Sequence, residues 1–252
     1  SDHFCFITSA MSKPVLLNKT YESFQKYMPW LDFKKMTLFL NIDNFPASID
    51  PKKDLEDIDK CKNIANTYFG NVVYNIGYSS FPAAVKWCFS QANKEYVFNL
   101  EDDWELLCEI PEAVIDFFEN PKTIQVGFRA WKKSDPRFVL SPSILKTSFC
   151  NFVSSKMNLG KNPENQIRGI NPYKLDDCFV YWPFESDKII LRDLGRPWMK
   201  TSCFGRGLDD FTQWKFLPNS ITRWREQLNM DQSIDINLSK LDGNFGGSNV
   251  SN

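Results

Sequence analysis

The sequence predicts an α/β fold with a mainly parallel central sheet, helices on both of its faces, and a more irregular second half. Strand and helix patterns alternate through the first hundred of the 252 residues, which is typical of such sheets. The last strand of that series, residues 96–100, is a nearly continuous apolar run, as expected for a strand buried on both faces. No stretch rich in Pro, Gly or Ser divides the chain, so we expect one domain.

Four strands alternate with three helices in the first half. The predicted strands cover residues 4–7, 37–42, 72–74 and 96–100. The predicted helices cover residues 14–28, 55–68 and 81–92, where apolar side chains recur at helical spacing. Pro14 opens the first of these helices, a position at which proline is tolerated. In open α/β sheets, ligands bind beyond the carboxyl ends of the strands, so residues that follow these strands are candidates for a site.

The pattern is less regular after residue 104. Helices are expected at residues 111–118, 141–153 and 163–167, strands at residues 124–130 and 179–182, and a turn at residues 191–198. Asn162 is the expected cap of the last helix, with Pro163 in its first turn. We therefore predict a single domain over residues 1–240, with halves at residues 4–104 and 105–240, and a flexible tail at residues 241–252.

Three consecutive carboxylates, Glu101, Asp102 and Asp103, follow the central strand and precede Trp104. Side chains alternate along a strand, so neighbouring carboxylates meet one ligand only if the strand ends here and the chain turns. Adjacent carboxylates repel one another more strongly as water is excluded, which indicates a positive partner. Mn²⁺ or Mg²⁺ is the expected partner, because hard cations take carboxylate oxygens and leave positions open for phosphate. A solvated acidic turn is the alternative.

The charge of the chain is close to balanced, with a formal net charge of −1, so the whole protein is not a polyanion binder. Residues 122–168 nevertheless carry a local excess of basic residues. This segment has only two acidic residues, Asp135 and Glu164. Its nine basic residues are Lys122, Arg129, Lys132, Lys133, Arg137, Lys146, Lys156, Lys161 and Arg168. A basic surface of this kind fits a ligand or acceptor that bears phosphate, although solvated lysines on helix faces give the same count.

Seven cysteines are scattered singly, and the chain has one histidine, His3. A zinc site of paired Cys and His and a nucleophile activated by His are therefore both disfavoured. Dispersed cysteines indicate reduced thiols and a cytoplasmic protein. No leader segment and no apolar run of about 18 residues is evident, so no membrane span is expected. The sequence assigns no oligomeric state.

Neither GxGxxG nor GxxxxGK[ST] follows the first strand, which disfavours a dinucleotide-binding Rossmann fold and a P-loop kinase. The order of the motifs instead resembles a GT-A-type glycosyltransferase, most closely the small enzymes of phages and large DNA viruses, such as the one encoded by a chlorella virus. The runs that carry the resemblance are FITSA at residues 6–10, NID at 41–43, NIG at 75–77, LEDDW at 100–104, SPS at 141–143, NPE at 162–164 and DLGR at 193–196. The acidic run is the most specific of these.

The resemblance implies a donor site for a nucleotide-diphosphate sugar and a divalent metal, Mn²⁺ or Mg²⁺. Glu101 and Asp103 match the outer positions of the family's DxD motif, with Glu in place of the first Asp. Asp103 would then ligate the metal together with Asp102, and Glu101 would lie near the ribose or a metal-bound water. Which of the three carboxylates touches the metal stays open.

The resemblance also assigns polar residues at strand ends to the nucleotide. Thr8, Ser9 and Asp43 lie where such enzymes hold base and ribose, and Asn75 and Ser80 lie after the next strand. Polar residues also terminate strands and form turns without any ligand, which is the alternative for each of them.

Glycosyl transfer requires that the leaving diphosphate be neutralised and, in an inverting enzyme, that the acceptor hydroxyl lose a proton. Arg196 and Lys200 are the candidates for the first task. Inverting GT-A enzymes often place the base at the start of a helix in the second half, and Glu164 matches that placement. An acid stabilised at a helix N-terminus is the alternative for Glu164. Asp193 and the pair Asp209 and Asp210 are further candidates for base or metal ligand.

The predicted function is therefore metal-dependent glycosyl transfer, inverting by expectation, to a hydroxyl of a saccharide or glycoconjugate acceptor. A phage enzyme that glycosylates DNA at a hydroxymethylated pyrimidine is the alternative acceptor class, in line with the basic excess. A non-catalytic nucleotide- or glycan-binding module and a sugar nucleotidyltransferase are the competing functions. Trp131, Trp182 and Trp198 are candidates to stack a sugar ring or a base.

Overall fold

The structure, a computed structural model, describes residues 3–44, 51–78, 80–129, 138–169, 178–183, 188–201, 204–206 and 214–216. Strands β1 to β11 are Phe4–Met11, Thr37–Asn44, Asn71–Tyr78, Tyr96–Glu101, Trp104–Leu106, Gln125–Gly127, Ser143–Lys146, Phe179–Tyr181, Leu191–Asp193, Phe204–Arg206 and Trp214–Phe216. Helices α1 to α6 are Pro14–Tyr27, Pro51–Tyr68, Phe81–Ser90, Thr147–Lys156, Pro163–Gly169 and Gly195–Thr201. Two 3₁₀ helices cover Phe33–Lys35 and Glu112–Glu119.

Seven strands form the central sheet in the order β3-β2-β1-β4-β7-β6-β8. All neighbours are parallel except at β7, which is antiparallel to both β4 and β6. Two further antiparallel pairs, β5 with β9 and β10 with β11, lie outside this sheet. The predicted α/β class with a mainly parallel sheet is thus confirmed.

The sheet is buried on both faces, and alternation along β1 and β4 explains how. Phe6 of β1 and Phe98 of β4 point to the face covered by α1 and α2, and their rings stack with centroids 4.9 Å apart. Cys5 and Val97, their neighbours along the two strands, point to the opposite face, which α3 and α4 cover. Burial of each large apolar side chain contributes about 1.5–3 kcal/mol, which accounts for the nearly continuous apolar run in β4.

The strand order creates a crevice between the carboxyl ends of β1 and β4. From β1 the chain proceeds through α1 to β2 and through α2 to β3, and then returns by α3 to place β4 on the other side of β1. Successive strands are added to one side of β1 up to β3 and to its other side from β4, and this switch in strand order is the position where open α/β sheets bind ligands. Ser9 and Glu101 are register partners at this edge.

The second half differs from the predicted pattern in two places. Residues 143–146 were expected in a helix, but they form β7, in which Leu145 pairs with Val97 of β4. Residues 191–198 were expected to be a turn, but they supply β9 and the start of α6. In both cases pairing with a strand distant in the sequence outweighs the local pattern, as is common for strands.

Smaller differences concern element bounds. The helix expected from Pro111 is a 3₁₀ helix, Glu112–Glu119, and β3 continues through Asn75 to Tyr78 instead of ending at residue 74. Within the residues that the structure describes, no helix is long and apolar enough to cross a membrane.

Candidate functional site

The acidic run lies at the crevice between β1 and β4. Glu101 is the last residue of β4, the chain turns at Asp102 and Asp103, and Trp104 begins β5. On the other side of the crevice, β1 ends at Met11, and Lys13 immediately precedes α1. Two loops from neighbouring strands therefore meet where the topology places a ligand site.

Asp102 ties these two loops together. Its Oδ2 accepts a hydrogen bond from Met11 N at 2.8 Å, and its backbone oxygen accepts one from Thr20 Oγ1 at 3.0 Å. Asp102 is only 4% exposed. Burial raises the pKa of Asp102, while Lys13 and the bond from Met11 act in the opposite direction. Asp102 thus joins the acidic turn to the end of β1 and to α1. Its assignment as a metal ligand stays a prediction.

Asp103 is held between the turn and the segment that precedes α6. Its backbone oxygen accepts a hydrogen bond from Leu194 N at 2.8 Å, and its side chain packs against Gly195. Burial, followed by the charges of Asp102 and Asp193, raises the pKa of Asp103 to about 7, against the lowering effect of Lys13. The site therefore holds more negative charge than its own basic groups offset.

Glu101 faces the second half of the protein. Its Oε2 accepts a hydrogen bond from Trp104 Nε1 at 2.8 Å, and the guanidinium of Arg129 lies 4.8 Å from the centre of the Trp104 ring. Burial and the charge of Asp103 raise the pKa of Glu101 well above its ordinary value, and Glu164 adds to this effect. Glu164 is therefore close enough to act electrostatically on the acidic run.

Glu164 lies in the first turn of α5, where the sequence places it, and Asn162 Oδ1 caps the helix by accepting from Asn165 N at 3.1 Å. Glu164 Oε1 accepts a hydrogen bond from Leu140 N at 3.1 Å and pairs with Arg168 Nη2 at 3.3 Å. Its side chain is 32% exposed. The carboxylate is thus oriented by two contacts and still reaches solvent.

Asp193 and Arg196 form a local pair beside the turn. Arg196 donates from its backbone N to Asp193 Oδ1 at 3.0 Å, and its Nε lies 3.2 Å from Asp193 Oδ2. The guanidinium side chain of Arg196 is 66% exposed. Much of its charge is therefore offset by Asp193. The side chain of Lys200 and all of Asp209 and Asp210 lie outside the described residues.

A chain of amides leads to a further buried carboxylate, Asp43, near the ends of β2 and β3. Asn75 Nδ2 donates to Asn41 Oδ1 at 2.7 Å, and Asn41 Nδ2 donates to Asp43 Oδ1 at 3.0 Å. Burial raises the pKa of Asp43 to about 6, despite hydrogen bonds from Asn41 and from the backbone of Ser80. The structure therefore groups three of the residues expected near the nucleotide: Asp43, Asn75 and Ser80.

The two polar residues of β1 are placed differently from each other. Thr8 is fully buried, and its hydroxyl makes no hydrogen bond to any described residue. Ser9 is half-buried at the sheet edge. Ser9 is thus better placed than Thr8 to meet a ligand at this edge.

Lys13 belongs to the site but was not among the residues expected from the sequence. It is 3% exposed, and its Nζ lies 4.9 Å from the centre of the Trp198 ring. Its charge lowers the pKa of Asp102 and Asp103, so it lies beside the acidic turn. The only sequence signal is its position, two residues after β1, because burial of a lysine leaves no local pattern.

The carboxylates fit a metal only as partial ligands. Among the described residues, no three His, Cys, Asp or Glu side chains converge closely enough to hold an ion by themselves. Mg²⁺, however, is commonly held by one or two carboxylates with phosphate oxygens completing its shell. Glu101 and Asp103, with pKa values raised by burial and by neighbouring carboxylates, fit that smaller role.

The predicted basic surface of residues 122–168 is only partly described, because Trp131, Lys132, Lys133 and Arg137 lie outside the described residues. Within the described part, several basic groups make internal contacts. Arg168 pairs with Glu164 and donates from Nε to Phe138 O at 3.0 Å, and Lys146 donates to Pro121 O at 3.2 Å. The pair with Glu164 offsets the charge of Arg168, and the bond to Pro121 O orients Lys146 towards the protein.

No protein-family model matches the sequence, and no curated protein is significantly similar to it. Among solved structures, S. aureus TarS 1-349 in complex with UDP has a TM-score of 0.51 at 16% identity, over 75% of this chain and 59% of that chain. The same protein with UDP-GlcNAc gives 0.50 at 14% identity, over 75% and 57%. A cytidylyltransferase from Leptospira borgpetersenii serovar Hardjo-bovis gives 0.48 at 12% identity, over 92% and 96%.

The chain therefore spans less than two thirds of the TarS chain with which it shares its fold. At these identities the similarity concerns the arrangement of strands and helices. The mostly parallel seven-stranded sheet flanked by helices matches the GT-A-like glycosyltransferase fold.

Proposed function

We propose that this protein is a glycosyltransferase that moves a sugar from a nucleotide-diphosphate donor to a hydroxyl group, with the acidic turn at the donor diphosphate. The observation that carries the proposal is the position of Glu101 and Asp103. Glu101 ends β4 and Asp103 lies in the turn that follows, at the crevice of a GT-A-like sheet, and burial and repulsion raise the pKa of both carboxylates. The TarS structures of similar fold contain UDP or UDP-GlcNAc, a donor of the same chemical class.

The nucleotide would lie across the carboxyl ends of β1, β2 and β3. Ser9, Asp43 and Asn75 present hydroxyl, carboxylate and amide groups there, which suits the polar edges of a base and a ribose. The diphosphate would then extend towards the acidic turn. A bound Mn²⁺ or Mg²⁺ would supply positive charge between the carboxylates and the phosphate oxygens.

The reaction requires one bond to form and one to break at the anomeric carbon. The acceptor oxygen bonds to that carbon, the bond to the β-phosphate oxygen breaks, and its electron pair leaves on the nucleoside diphosphate. We propose Glu164 as the base that takes the acceptor proton, which makes the enzyme inverting. Its oriented, partly exposed carboxylate near Glu101 supports this role over that of Asp193, which Arg196 engages twice.

The acceptor in this proposal is a saccharide or glycoconjugate. The small enzymes of phages and large DNA viruses remain the proposed relatives, on the sequence motifs alone. Transfer to a hydroxymethylated pyrimidine in DNA is less well supported, because Arg168 and Lys146 of the basic region make internal contacts.

The test is to incubate the protein with Mn²⁺ and a panel of nucleotide sugars, and to measure the nucleotide product with and without saccharide acceptors. Nucleoside diphosphate release that depends on the acceptor is the expected result, and Asp103→Asn should abolish it. Release of pyrophosphate from a nucleoside triphosphate and a sugar phosphate would identify a nucleotidyltransferase instead. Nucleotide binding without any product would identify a binding module.

A further inference from the structure

Lys13 presents a buried ammonium group for which the described residues supply no acceptor. The residue is 3% exposed, and its Nζ makes no hydrogen bond to any residue that the structure describes. An ammonium ion removed from water without a partner costs several kcal/mol, so such groups are normally paired or bound to a ligand. The position of Lys13 therefore calls for an acceptor that the described protein groups do not supply.

The neighbouring carboxylates do not satisfy Lys13, although their charges act on it. Within the described residues no ion pair joins Lys13 to Asp102 or Asp103, and Asp102 Oδ2 already accepts the hydrogen bond from Met11 N. The Trp198 ring lies 4.9 Å from Nζ and forms one wall beside the ammonium. A cation–π contact of this kind stabilises the positive charge. It offers no lone pair to accept a hydrogen bond from the three N–H donors of the ammonium group.

Helix α1, whose N-cap residue is Lys13, adds a second positive element. Helix α1 has 14 residues, its first turn contains no acidic residue, and the side chain of Lys13 makes no capping hydrogen bond. The first backbone N–H groups of a helix lack partners within the helix, and the aligned peptide dipoles place partial positive charge there. An anion near Lys13 would therefore meet the ammonium and a helix N-terminus together.

We propose that Lys13 binds a phosphate oxygen of the donor diphosphate and takes up the charge that develops on it when the sugar leaves. This inference rests on the proposed function and deepens it by naming the protein cation of the leaving-group site. Arg196 and Lys200 were the sequence candidates for that task, but Arg196 is paired with Asp193. In this role Lys13 donates hydrogen bonds and transfers no proton.

The location explains why the same crevice contains both acidic and basic groups. Lys13 follows β1 and the carboxylates follow β4, so the two strands present opposite charges to one ligand. A diphosphate offers oxygens to both: directly to the ammonium, and to the carboxylates through a shared divalent cation. Lys13 thus provides a positive charge that does not depend on metal.

The experiment measures binding rather than transfer, so that its outcome is separate from that of the proposed function. Inorganic pyrophosphate, UDP, GDP, CDP and uridine are titrated by calorimetry into the wild type, Lys13→Met, Lys13→Arg and Lys19→Met, with and without Mn²⁺. Lys19 is the matched control, since it lies on the same helix and its Nζ is 3.7 Å from Glu105. Thermal unfolding of each protein without ligand is recorded alongside.

Lys13→Met should weaken pyrophosphate and nucleoside diphosphate binding at least tenfold, in Mn²⁺ and without it, and leave uridine binding within twofold. Lys13→Arg should retain most of the affinity, and Lys19→Met should resemble the wild type. Unchanged diphosphate affinity in Lys13→Met overturns the inference.

Two other outcomes separate this inference from the proposed function. If diphosphate binding depends on Lys13 but the protein transfers no sugar, the inference is supported and the proposed glycosyltransferase function is wrong. A wild type that binds none of the phosphate probes overturns both. If Lys13→Met does not fold, wild-type protein with isotope-labelled lysine answers the question by NMR. The Lys13 side-chain signal is identified as the one that is absent from the spectrum of Lys13→Arg. It must shift when pyrophosphate is added to the wild type, and a signal that does not shift overturns the inference.

Discussion

The side chain of Asp103 fills the space in which residue 195 would carry its β-carbon, and Gly195 carries none. A β-carbon built there would overlap Asp103 Oδ2 and lie 2.6 Å from Asp103 Cγ. Leu194 N donates to the backbone oxygen of Asp103 in the same contact, at 2.8 Å. The glycine at residue 195 is therefore explained by close approach of the acidic turn and not by backbone conformation.

Gly195→Ala should displace the Asp103 carboxylate and lower sugar transfer at least tenfold, because misplacement of a group by about 1 Å is enough to cost that much. Initial rates at saturating donor measure the effect. Gly169→Ala is the matched control, since a β-carbon at residue 169 meets no atom within 4 Å. Equal rates in Gly195→Ala and the wild type would show that the position of Asp103 does not matter for transfer.

Asp103→Asn should abolish transfer and raise the stability of the protein without ligand. The ionised carboxylate is disfavoured by burial and by Asp102 and Asp193, so removing its charge should raise the free energy of unfolding at neutral pH by about 1 kcal/mol or more. Urea unfolding without metal measures the change. A mutant that retains turnover in Mn²⁺ would falsify the assignment of Asp103 to the donor site.

The first half of the fold could be predicted from local sequence patterns, because the spacing of apolar residues in each strand and helix there matches that type of element. The apolar run of β4 and the helical spacing that begins at Pro14 both reflect burial against the sheet. Residues 143–146 carry no such signal, since Ile144 and Leu145 suit a helix face as well as a strand. Only their pairing with residues 97 and 98 of β4 decides between the two.

The candidate site was predictable where side chains follow a strand, and not where a contact depends on tertiary structure. Glu101 and Asp103 could be named because an acidic run ends an apolar strand. The link from Asp102 to the end of β1 could not be predicted, since its partner, Met11 N, lies 91 residues away in the sequence. Lys13 was missed for a related reason: exposed and buried lysines look the same in a sequence.

Asp43 should make stability decrease as pH rises from about 4 to about 6. Its pKa is raised from 3.8 to about 6 in the folded protein, so the folded state binds more protons than the unfolded state in this window. The loss is up to about 3 kcal/mol, complete above pH 6 and absent below pH 4. Asp43→Asn should therefore gain stability relative to the wild type across that window, measured by urea unfolding at pH 4, 5, 6 and 7.

The control for this experiment is Asp59→Asn, at a helix position where 71% of the side chain is exposed. A gain of the same size in Asp59→Asn would assign the effect to something other than the burial of Asp43. If the difference in free energy of unfolding between Asp43→Asn and the wild type does not change from pH 4 to pH 7, the raised pKa of Asp43 is contradicted directly.

Glu164→Gln should lower turnover by about a hundredfold and leave donor affinity nearly unchanged, as expected for a base that acts only in the transfer step. The amide oxygen can still accept from Leu140 N, and loss of the partly exposed pair with Arg168 costs at most about 1 kcal/mol. Single-turnover rates and donor titrations measure the two quantities. Normal turnover would leave Glu164 as a helix-start residue, and Asp193→Asn would then be the variant that loses activity.

The acceptor can be tested through salt, because a protein that neutralises phosphates along DNA releases condensed counterions and loses affinity steeply as salt rises. A neutral saccharide has no condensed counterions, so its binding does not depend on salt in this way. Since Arg168 and Lys146 make internal contacts, we expect weak or no duplex DNA binding at about physiological ionic strength. We also expect that Lys132→Glu combined with Lys133→Glu retains transfer to a saccharide. A salt-sensitive DNA complex that this double change abolishes, together with sugar transfer to DNA containing a hydroxymethylated pyrimidine, would replace the saccharide by DNA as the acceptor.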